Sequence, residues 1–138
     1  MILLDTNVVS EAMKPLPNSQ VLGWLNTQAA ETLFVSSITF AELWFGVAAM
    51  PQGQRKLRLE ETVDGLADMY KGRILGFDLN AAQTYAQLAF LARSKGKGFP
   101  TPDGYIAAIA ASKRMIVASR DTAPFAAVGL EVINPWQS

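Results

Sequence analysis

The 138-residue chain contains no cysteine and no histidine. These absences exclude zinc sites with thiolate or imidazole ligands, Ser-His and Cys-His catalytic dyads, and acid–base catalysis by an imidazole. Any catalysis must therefore use carboxylates, Lys, Tyr, Ser or Thr, or a metal ion that is held by oxygen atoms.

Long apolar runs and an excess of one charge are absent as well. No apolar stretch reaches the roughly 18 residues that a membrane-spanning helix needs, and the N-terminus has neither the basic region nor the cleavage site of a secretory signal. We expect a cytoplasmic protein without membrane contact, and the lack of cysteine agrees with a reducing compartment. The 12 basic and 12 acidic residues cancel, so the overall charge does not indicate nucleic-acid binding.

Composition and length indicate a single domain over residues 1–138. Hydrophobic residues make up 50% of the chain and charged residues 17%, which is typical of a globular protein rather than a disordered one. A chain of this length can bury one core but is too short for two ordinary domains. No linker, repeat or low-complexity tract divides the sequence.

Short apolar segments alternate with segments of helical periodicity along the chain. The predicted strands are Ile2–Leu4, Thr32–Val35, Arg73–Phe77, Met115–Ser119 and Glu131–Ile133. The predicted helices are Val8–Met13, a segment that Asn18 caps and that ends near Gln28, Thr39–Met50, Gln54–Tyr70, Asp78–Lys95 and Pro102–Lys113, with a turn or short helix at Thr122–Ala127. This alternation predicts an α/β fold with a mostly parallel sheet and helices on both faces. In such sheets, ligands bind beyond the carboxyl ends of the strands.

Four acidic residues fall at that edge of the predicted sheet. Asp5 directly follows the first strand, and Asp121 follows the strand Met115–Ser119. Glu42 lies in the first turns of the helix after the second strand, and Asp103 lies in the first turn of the alanine-rich helix. Because these strand ends and helix starts meet at one edge, we expect the four carboxylates to lie close together.

Each of these acids also has an ordinary structural explanation. Asp5 could cap the helix that follows it, and Thr39-Phe40-Ala41-Glu42 fits a capping box. Asp103 would be favoured near a helix N-terminus by the helix dipole, and Asp121 could be a turn residue. Taken singly, none of the four requires a functional interpretation.

The convergence of all four favours a metal site. Two carboxylates ~5 Å apart repel by roughly 3 kcal/mol at an effective dielectric constant of about 20, so a fold that gathers four needs protons or a cation to compensate. Oxygen ligands without His or Cys suit Mg²⁺ or Mn²⁺ better than zinc. Such a centre activates water and stabilises charge on a phosphodiester, which suggests phosphoryl hydrolysis.

Four stretches resemble the successive motifs of PIN-domain proteins: LLDTNVVSE, ITFAELWFGV, TPDGYIAAIA and VASRDTAPF. The sequence is most similar to the VapC-type toxins of bacterial toxin–antitoxin modules, in particular to the branch called FitB, and the similarity extends to the closing INPW. The resemblance implies a three-layer α/β/α fold and a metal-dependent ribonuclease that usually forms a homodimer. It also implies a DNA-binding cognate antitoxin whose C-terminal segment occupies the active-site groove and inhibits the enzyme.

The resemblance further implies roles for individual residues. The catalytic quartet would be Asp5, Glu42, Asp103 and Asp121. Asp5 and Asp103 would bind Mg²⁺ or Mn²⁺ directly, and Glu42 and Asp121 would complete the shell or orient the attacking water. Thr6 and Asn7 match the polar pair that often supports the first acid.

One position departs from the family pattern. Many VapC-type sequences carry a further acid three residues after the fourth-motif position and before an aromatic residue, where this chain has Pro124 before Phe125. Asp121 would then supply the fourth-motif carboxylate alone.

Several other residues have a functional and an ordinary explanation. Arg93, Lys95 and Lys97 are expected at a solvated helix end, with contact to RNA phosphate as the alternative. Of the three tryptophans, which could stack on bases, helical spacing favours core or interface positions for Trp24 and Trp44 but says nothing of this kind about Trp136.

Two further predictions concern a dimer interface and the positions of two isolated acids. Trp44, Phe45 and Tyr105 exceed what a monomer of this size buries comfortably, so we expect a dimer interface among them. Glu11 is predicted to be a surface acid and Asp78 a helix cap.

Two functions are compatible with the acidic cluster, and a third is set aside. The first is a Mg²⁺-dependent endoribonuclease toxin that an antitoxin controls. The second is a non-catalytic module that uses the acidic groove only to engage a partner or a DNA-bound regulator. A haloacid-dehalogenase-type phosphatase with Asp5 as nucleophile is set aside, because that chemistry needs a second Asp two residues later, where this chain has Asn7.

Overall fold

Five short parallel strands form one sheet in the computed structural model, which describes residues 1–137. The strands are β1 (Ile2–Leu4), β2 (Leu33–Ser36), β3 (Ile74–Leu75), β4 (Ile116–Ala118) and β5 (Val132–Ile133), in the spatial order β3-β2-β1-β4-β5. β1 is central, with Leu4 opposite Val35 of β2 and Ala118 of β4. The carboxyl ends of the three middle strands therefore lie side by side.

Seven helices flank this sheet in the described part of the chain. They are α1 (Thr6–Ala12), α2 (Ser19–Thr27), α3 (Ser37–Ala48), α4 (Gln54–Met69), α5 (Leu79–Ser94), α6 (Thr101–Ser112) and α7 (Ala123–Ala126). Short 3₁₀ turns cover Ala30–Thr32 and Pro135–Gln137. None of the helices in residues 1–137 is long and apolar enough to cross a membrane.

Alternation along β1 divides the core into two layers. Ile2 and Leu4 pack on one face against the buried side chains of α1 to α4, whereas Leu3 packs on the other face against α5, α6 and α7. This alternation is the two-residue period of a strand, and both faces are apolar because helices cover both. The predicted α/β fold with three layers is confirmed, and every strand pair is parallel.

Half of the residues of helix α6 are buried, nearly all of them in its middle. Residues 106–110 have no exposed surface, and the three alanines among them let α6 lie close to the sheet. At Gly104 a Cβ atom would come within 3.0 Å of the Phe99 and Tyr85 rings. The first turn of α6, which carries Asp103, is therefore seated closely against its neighbours.

Element boundaries differ from the prediction in two informative places. α1 begins at Thr6 rather than Val8, because Asp5 itself is the N-cap residue and no loop separates it from the helix. The strands β3, β4 and β5 are shorter than predicted, and β3 and β5 each pair with their one neighbour over two residues only. The caps of α2 and α5, Asn18 and Asp78, are confirmed.

Candidate active site

Asp5 ends the central strand inside the protein. Its backbone N–H donates to the Ala118 carbonyl at 2.9 Å, and its side chain is only 3% exposed. Asp5 Oδ1 accepts from the Thr6 backbone N–H at 2.8 Å, and Oδ2 accepts from Ser119 Oγ at 2.7 Å. The side chain is thus a helix cap and also a buried carboxylate in fixed orientation.

Burial and hydrogen bonding act in opposite directions on this carboxylate. Burial raises the pKa of Asp5, the bonds from Ser119 and Thr6 lower it, and the negative charges of Glu42 and Asp121 raise it again. The net pKa lies above the ordinary value. The ionised form of Asp5 is therefore less favourable in the folded protein than in water.

Ser119 organises the polar groups around Asp5. It is completely buried directly after β4. Besides donating to Asp5, its hydroxyl oxygen accepts from Asn7 Nδ2 at 3.2 Å and from the Asp121 backbone N–H at 3.0 Å. Sequence reasoning missed this residue, although a serine after an apolar strand at the predicted ligand-binding edge was a usable signal.

Glu42 is held by a chain of hydroxyl groups. Thr6 Oγ1 donates to Glu42 Oε1 at 2.7 Å and lies 2.9 Å from Thr39 Oγ1, which is completely buried. The capping-box explanation for Glu42 is wrong, because α3 begins two residues earlier than predicted. Its N-cap is Ser36, whose hydroxyl accepts from the Thr39 backbone N–H at 3.2 Å. Glu42 is therefore available to the site.

Asp103 shows most clearly that the acids interact. It lies in the first turn of α6 and is partly exposed. Burial, followed by the charges of Asp5, Asp121 and Glu42, raises the pKa of Asp103 to about 6. A carboxylate that three others influence in this way lies in a region of strongly negative potential.

Three of the four predicted residues share one cleft. Asp5, Glu42 and Asp103 line a depression of about 420 Å³ at the carboxyl edge of the sheet. Asp121 is exposed on the turn after β4 and is not among the cleft-lining residues. It acts on the other acids through its charge, and the raised pKa values of Asp5 and Asp103 both include its contribution.

The arrangement limits how many protein ligands one ion could have. In residues 1–137, no group of three or more acidic side chains is arranged to hold a metal ion. Mg²⁺ usually binds one or two carboxylates and keeps several waters. A pair of carboxylates in an oxygen-lined cleft is therefore compatible with Mg²⁺, whereas a complete cage of protein ligands is not present here.

Glu11 is a further acid of the cleft wall, and its predicted surface position is wrong. It is 6% exposed, and it accepts from Lys14 Nζ and from the Asn18 backbone N–H, both at 2.9 Å. These partners cover it near the edge of the fold rather than deep in the core. The Lys14 bond, followed by the Asn18 bond, lowers the pKa of Glu11. Glu11 thereby joins α1 to the start of α2.

Of the basic and tryptophan candidates, all but Trp136 lie outside the cleft. Arg93, Lys95 and Lys97 are exposed at the end of α5, as predicted for a solvated helix end. Trp44 is 42% exposed and donates from Nε1 to Asp64 at 3.0 Å, while Trp24 packs at the margin of the core. Of the three tryptophans, Trp136 lines the cleft.

A pH dependence follows from the position of Asp103. Its folded-state pKa of about 6 exceeds the ordinary 3.8, so the folded chain binds this proton more tightly than the unfolded chain. The stabilising contribution is present below about pH 4 and is lost as the pH rises through about 6. The free energy of unfolding of EDTA-treated protein should therefore fall across this window, as measured by urea denaturation.

Two variants test this assignment. Asp103→Asn should reduce the fall in the free energy of unfolding between about pH 4 and 6. Asp68→Asn, on the exposed face of α4, should show the same dependence on pH as the wild-type chain. A decline of the same size in Asp103→Asn would contradict the assignment, since the neighbouring Asp5 would then account for all of it.

Comparison with known proteins agrees with this geometry. Residues 2–130 match the family model of the PIN domain. The chain is 49% identical over 138 residues to VapC ribonuclease Y4jK of Sinorhizobium fredii, covering 99% of each chain. It is 44% identical to Toxin FitB of Neisseria gonorrhoeae, again covering 99% of each. A solved structure of FitAB bound to an IR36 DNA fragment superposes with a TM-score of 0.94 at 44% identity, covering 99% of this chain and 96% of that one.

Proposed function

The chain belongs to the PIN-domain family, and from this premise we propose that it is a metal-dependent endoribonuclease acting as the toxin of a toxin–antitoxin module. The observation that carries the proposal is the convergence of Asp5, Glu42 and Asp103 in one cleft, with Asp121 beside it. Names of similar proteins, VapC ribonuclease and Toxin FitB, support the reaction and the biological role.

Asp5 and Asp103 are the residues that would hold Mg²⁺ or Mn²⁺. They come from different elements, the end of β1 and the first turn of α6, and both have a raised pKa that a cation would lower again. When bound, the ion would supply an activated water and stabilise charge on the phosphodiester.

The chain's own residues fix the remaining groups. Ser119 and the Thr6 N–H orient the Asp5 carboxylate, and the Thr6 hydroxyl orients Glu42. In this position Glu42 would hold the attacking water at the cleft and receive its proton. Asp121, on the exposed turn, would contribute charge and water-mediated contacts. Thr6 thus acts on two acids at once, through its backbone N–H and its hydroxyl.

The proposed partners are RNA and a cognate antitoxin. The antitoxin would place its C-terminal segment in the cleft and block it, and it would itself bind DNA, in keeping with the similarity to a DNA-bound FitAB structure. The protein would act in the cytoplasm, where RNA is present. Both ligands would occupy the same depression of about 420 Å³, so antitoxin and RNA would compete for it.

An RNA-cleavage assay tests the proposed function. Antitoxin-free protein with Mg²⁺ or Mn²⁺ should cut structured RNA at internal sites, as read on a denaturing gel, and added antitoxin should stop the reaction. Expression of the chain alone should arrest bacterial growth. Intact RNA under all these conditions, together with tight antitoxin binding, would instead support a non-catalytic binding module.

A homodimer is the proposed assembly. Phe45 is 75% exposed and Trp44 is 42% exposed on α3, and Phe45 and Tyr105 line an apolar groove between α3 and α6. Apolar side chains at this density mark an interaction surface. Light scattering should report about twice the 15.0 kDa chain mass.

Matched variants locate the dimer interface. Phe45→Glu should shift the mass toward that of a monomer, because it places a charge in the apolar contact. Leu16→Glu serves as the control, since Leu16 is 90% exposed on the loop after α1. A monomer mass for the wild-type chain at micromolar concentration would contradict the proposed assembly.

A further inference from the structure

A stacked pair of side chains stands at the wall of the acidic cleft. The Arg120 guanidinium carbon lies 4.3 Å from the centroid of the Trp136 ring, and both residues line the cleft together with Asp5, Glu42 and Asp103. The Arg120 backbone N–H donates to Asn7 Oδ1 at 3.3 Å, and Asn7 in turn contacts Ser119. Arg120 is thus tied to the network that orients Asp5.

The charge of Arg120 acts on Glu11 only as a minor effect, after the larger effect of Lys14 on the pKa of that residue, and the guanidinium can still bind a ligand. Two cations line the cleft, and one of them, Lys14, is engaged with Glu11 at 2.9 Å. Arg120 makes no ion pair within 4.0 Å in the part of the chain that is described, although carboxylates line the same cleft. Stacking on Trp136 holds the guanidinium at the wall of the cleft, away from direct ion pairs with the carboxylates that line it.

The presence of tryptophan at position 136 is better explained by the face of its ring than by its N–H group. Trp136 lies in the 3₁₀ turn Pro135–Gln137, at the margin of the apolar layer. Its Nε1 is buried and has no hydrogen-bond partner within residues 1–137. A buried N–H group without a hydrogen-bond partner lowers stability. Phenylalanine at this position would have no such group. Tryptophan, however, offers the strongest cation–π surface.

We propose that Arg120, positioned by Trp136, binds a phosphate group of the RNA strand at the mouth of the acidic cleft. The inference rests on the proposed function for the identity of the substrate. A cleft lined by carboxylates repels a polyanion, so a strand entering it needs a cation near the entrance. The planar guanidinium suits a phosphate because it can donate two parallel hydrogen bonds.

The test measures RNA binding by fluorescence anisotropy at several KCl concentrations. An Asp103→Asn background is used throughout so that the RNA stays intact, and the RNA is checked on a gel afterwards. Arg120→Gln should raise Kd roughly tenfold and lower the slope of log K against log salt by about 0.7, the value for one lost phosphate contact on a single strand. Arg120→Lys should keep the slope while losing part of the affinity.

Control variants separate phosphate binding from general charge and from folding. Lys71→Gln removes an equal charge just before β3, at the opposite edge of the sheet, and should leave the slope unchanged. Trp136→Phe should weaken binding a few-fold with the wild-type slope, and should have no further effect in the Arg120→Gln background. A merely structural role of Trp136 would lower the melting temperature without this dependence on Arg120.

The outcomes distinguish the inference from the proposed function. If the wild-type chain cleaves RNA and Arg120→Gln binds it with unchanged Kd and slope, the inference is overturned and the proposed function stands. If Arg120→Gln lowers the slope but the wild-type chain cleaves no RNA, the inference stands and the proposed function is overturned. A wild-type chain that neither binds nor cleaves RNA overturns both.

Discussion

Asp5→Asn is expected to reduce RNA cleavage on the order of a thousandfold or more and to leave the chain folded. Asparagine lacks the negative charge that a hard cation requires. It still caps a helix nearly as well as aspartate, because its side-chain oxygen can accept from the Thr6 N–H. Cleavage on denaturing gels and thermal unfolding by circular dichroism provide the two measurements.

The stability of this variant carries additional information. The pKa of Asp5 is raised mainly by burial, so at neutral pH its charge destabilises the metal-free fold. We therefore expect metal-free Asp5→Asn to melt at or above the wild-type temperature. A variant that was inactive because it had unfolded would melt lower, and this result would remove the support for a metal-binding role.

Asp78→Asn is the matched control. Asp78 is also a helix N-cap, and its Oδ1 accepts from the Ala81 N–H at 2.9 Å, but it lies at the start of α5 outside the cleft. The same substitution should leave cleavage near the wild-type rate. If Asp5→Asn also cleaves RNA at the wild-type rate, Asp5 is a structural cap only and the proposed mechanism is wrong.

Removal of divalent ions is expected to abolish cleavage and to lower the melting temperature. A cation relieves the repulsion that Asp5, Asp121 and Glu42 exert on Asp103. Binding at a hundredfold excess over Kd contributes about 2.7 kcal/mol, which corresponds to a rise of roughly 10 °C for a domain of this size. Differential scanning fluorimetry with EDTA, Mg²⁺ and Mn²⁺ measures this shift.

Variants connect this shift to the cleft. Asp5→Asn and Asp103→Asn should each lose most of the ion-dependent rise, because each removes one of the two proposed ligands. Asp68→Asn, on the exposed face of α4, should keep it. Identical melting curves with EDTA and with saturating Mg²⁺ or Mn²⁺ would contradict a metal site in this cleft.

Asp5 is both a helix cap and a buried carboxylate held in one orientation. The same carboxylate caps α1 through one oxygen and accepts from Ser119 through the other. A helix that begins directly after a buried strand places its first N–H groups at the sheet edge, where an anion is favoured. The cap therefore holds in place a charge that would otherwise be costly to bury.

Local signals were sufficient for the elements and for the position of the acids. Asn18 and Asp78 were predicted as helix caps because their hydrogen bonds reach only two or three residues along the chain. The sheet edge was predictable because parallel strands with helical connections leave all their carboxyl ends on one side. The start of α3 was wrong by two residues, because both Ser36 and Thr39 are competent caps and local sequence does not choose between them.

The sequence by itself determined the residue types of the site, the α/β pattern and the edge where four acids gather. Only the tertiary structure decided that Ser119 orients Asp5 and that Arg120 lies on Trp136. Ser119 and Asp5 are 114 residues apart in sequence. Such contacts depend on strand register and on the seating of helices. Packing across the whole core sets both, and no local pattern of residues encodes them.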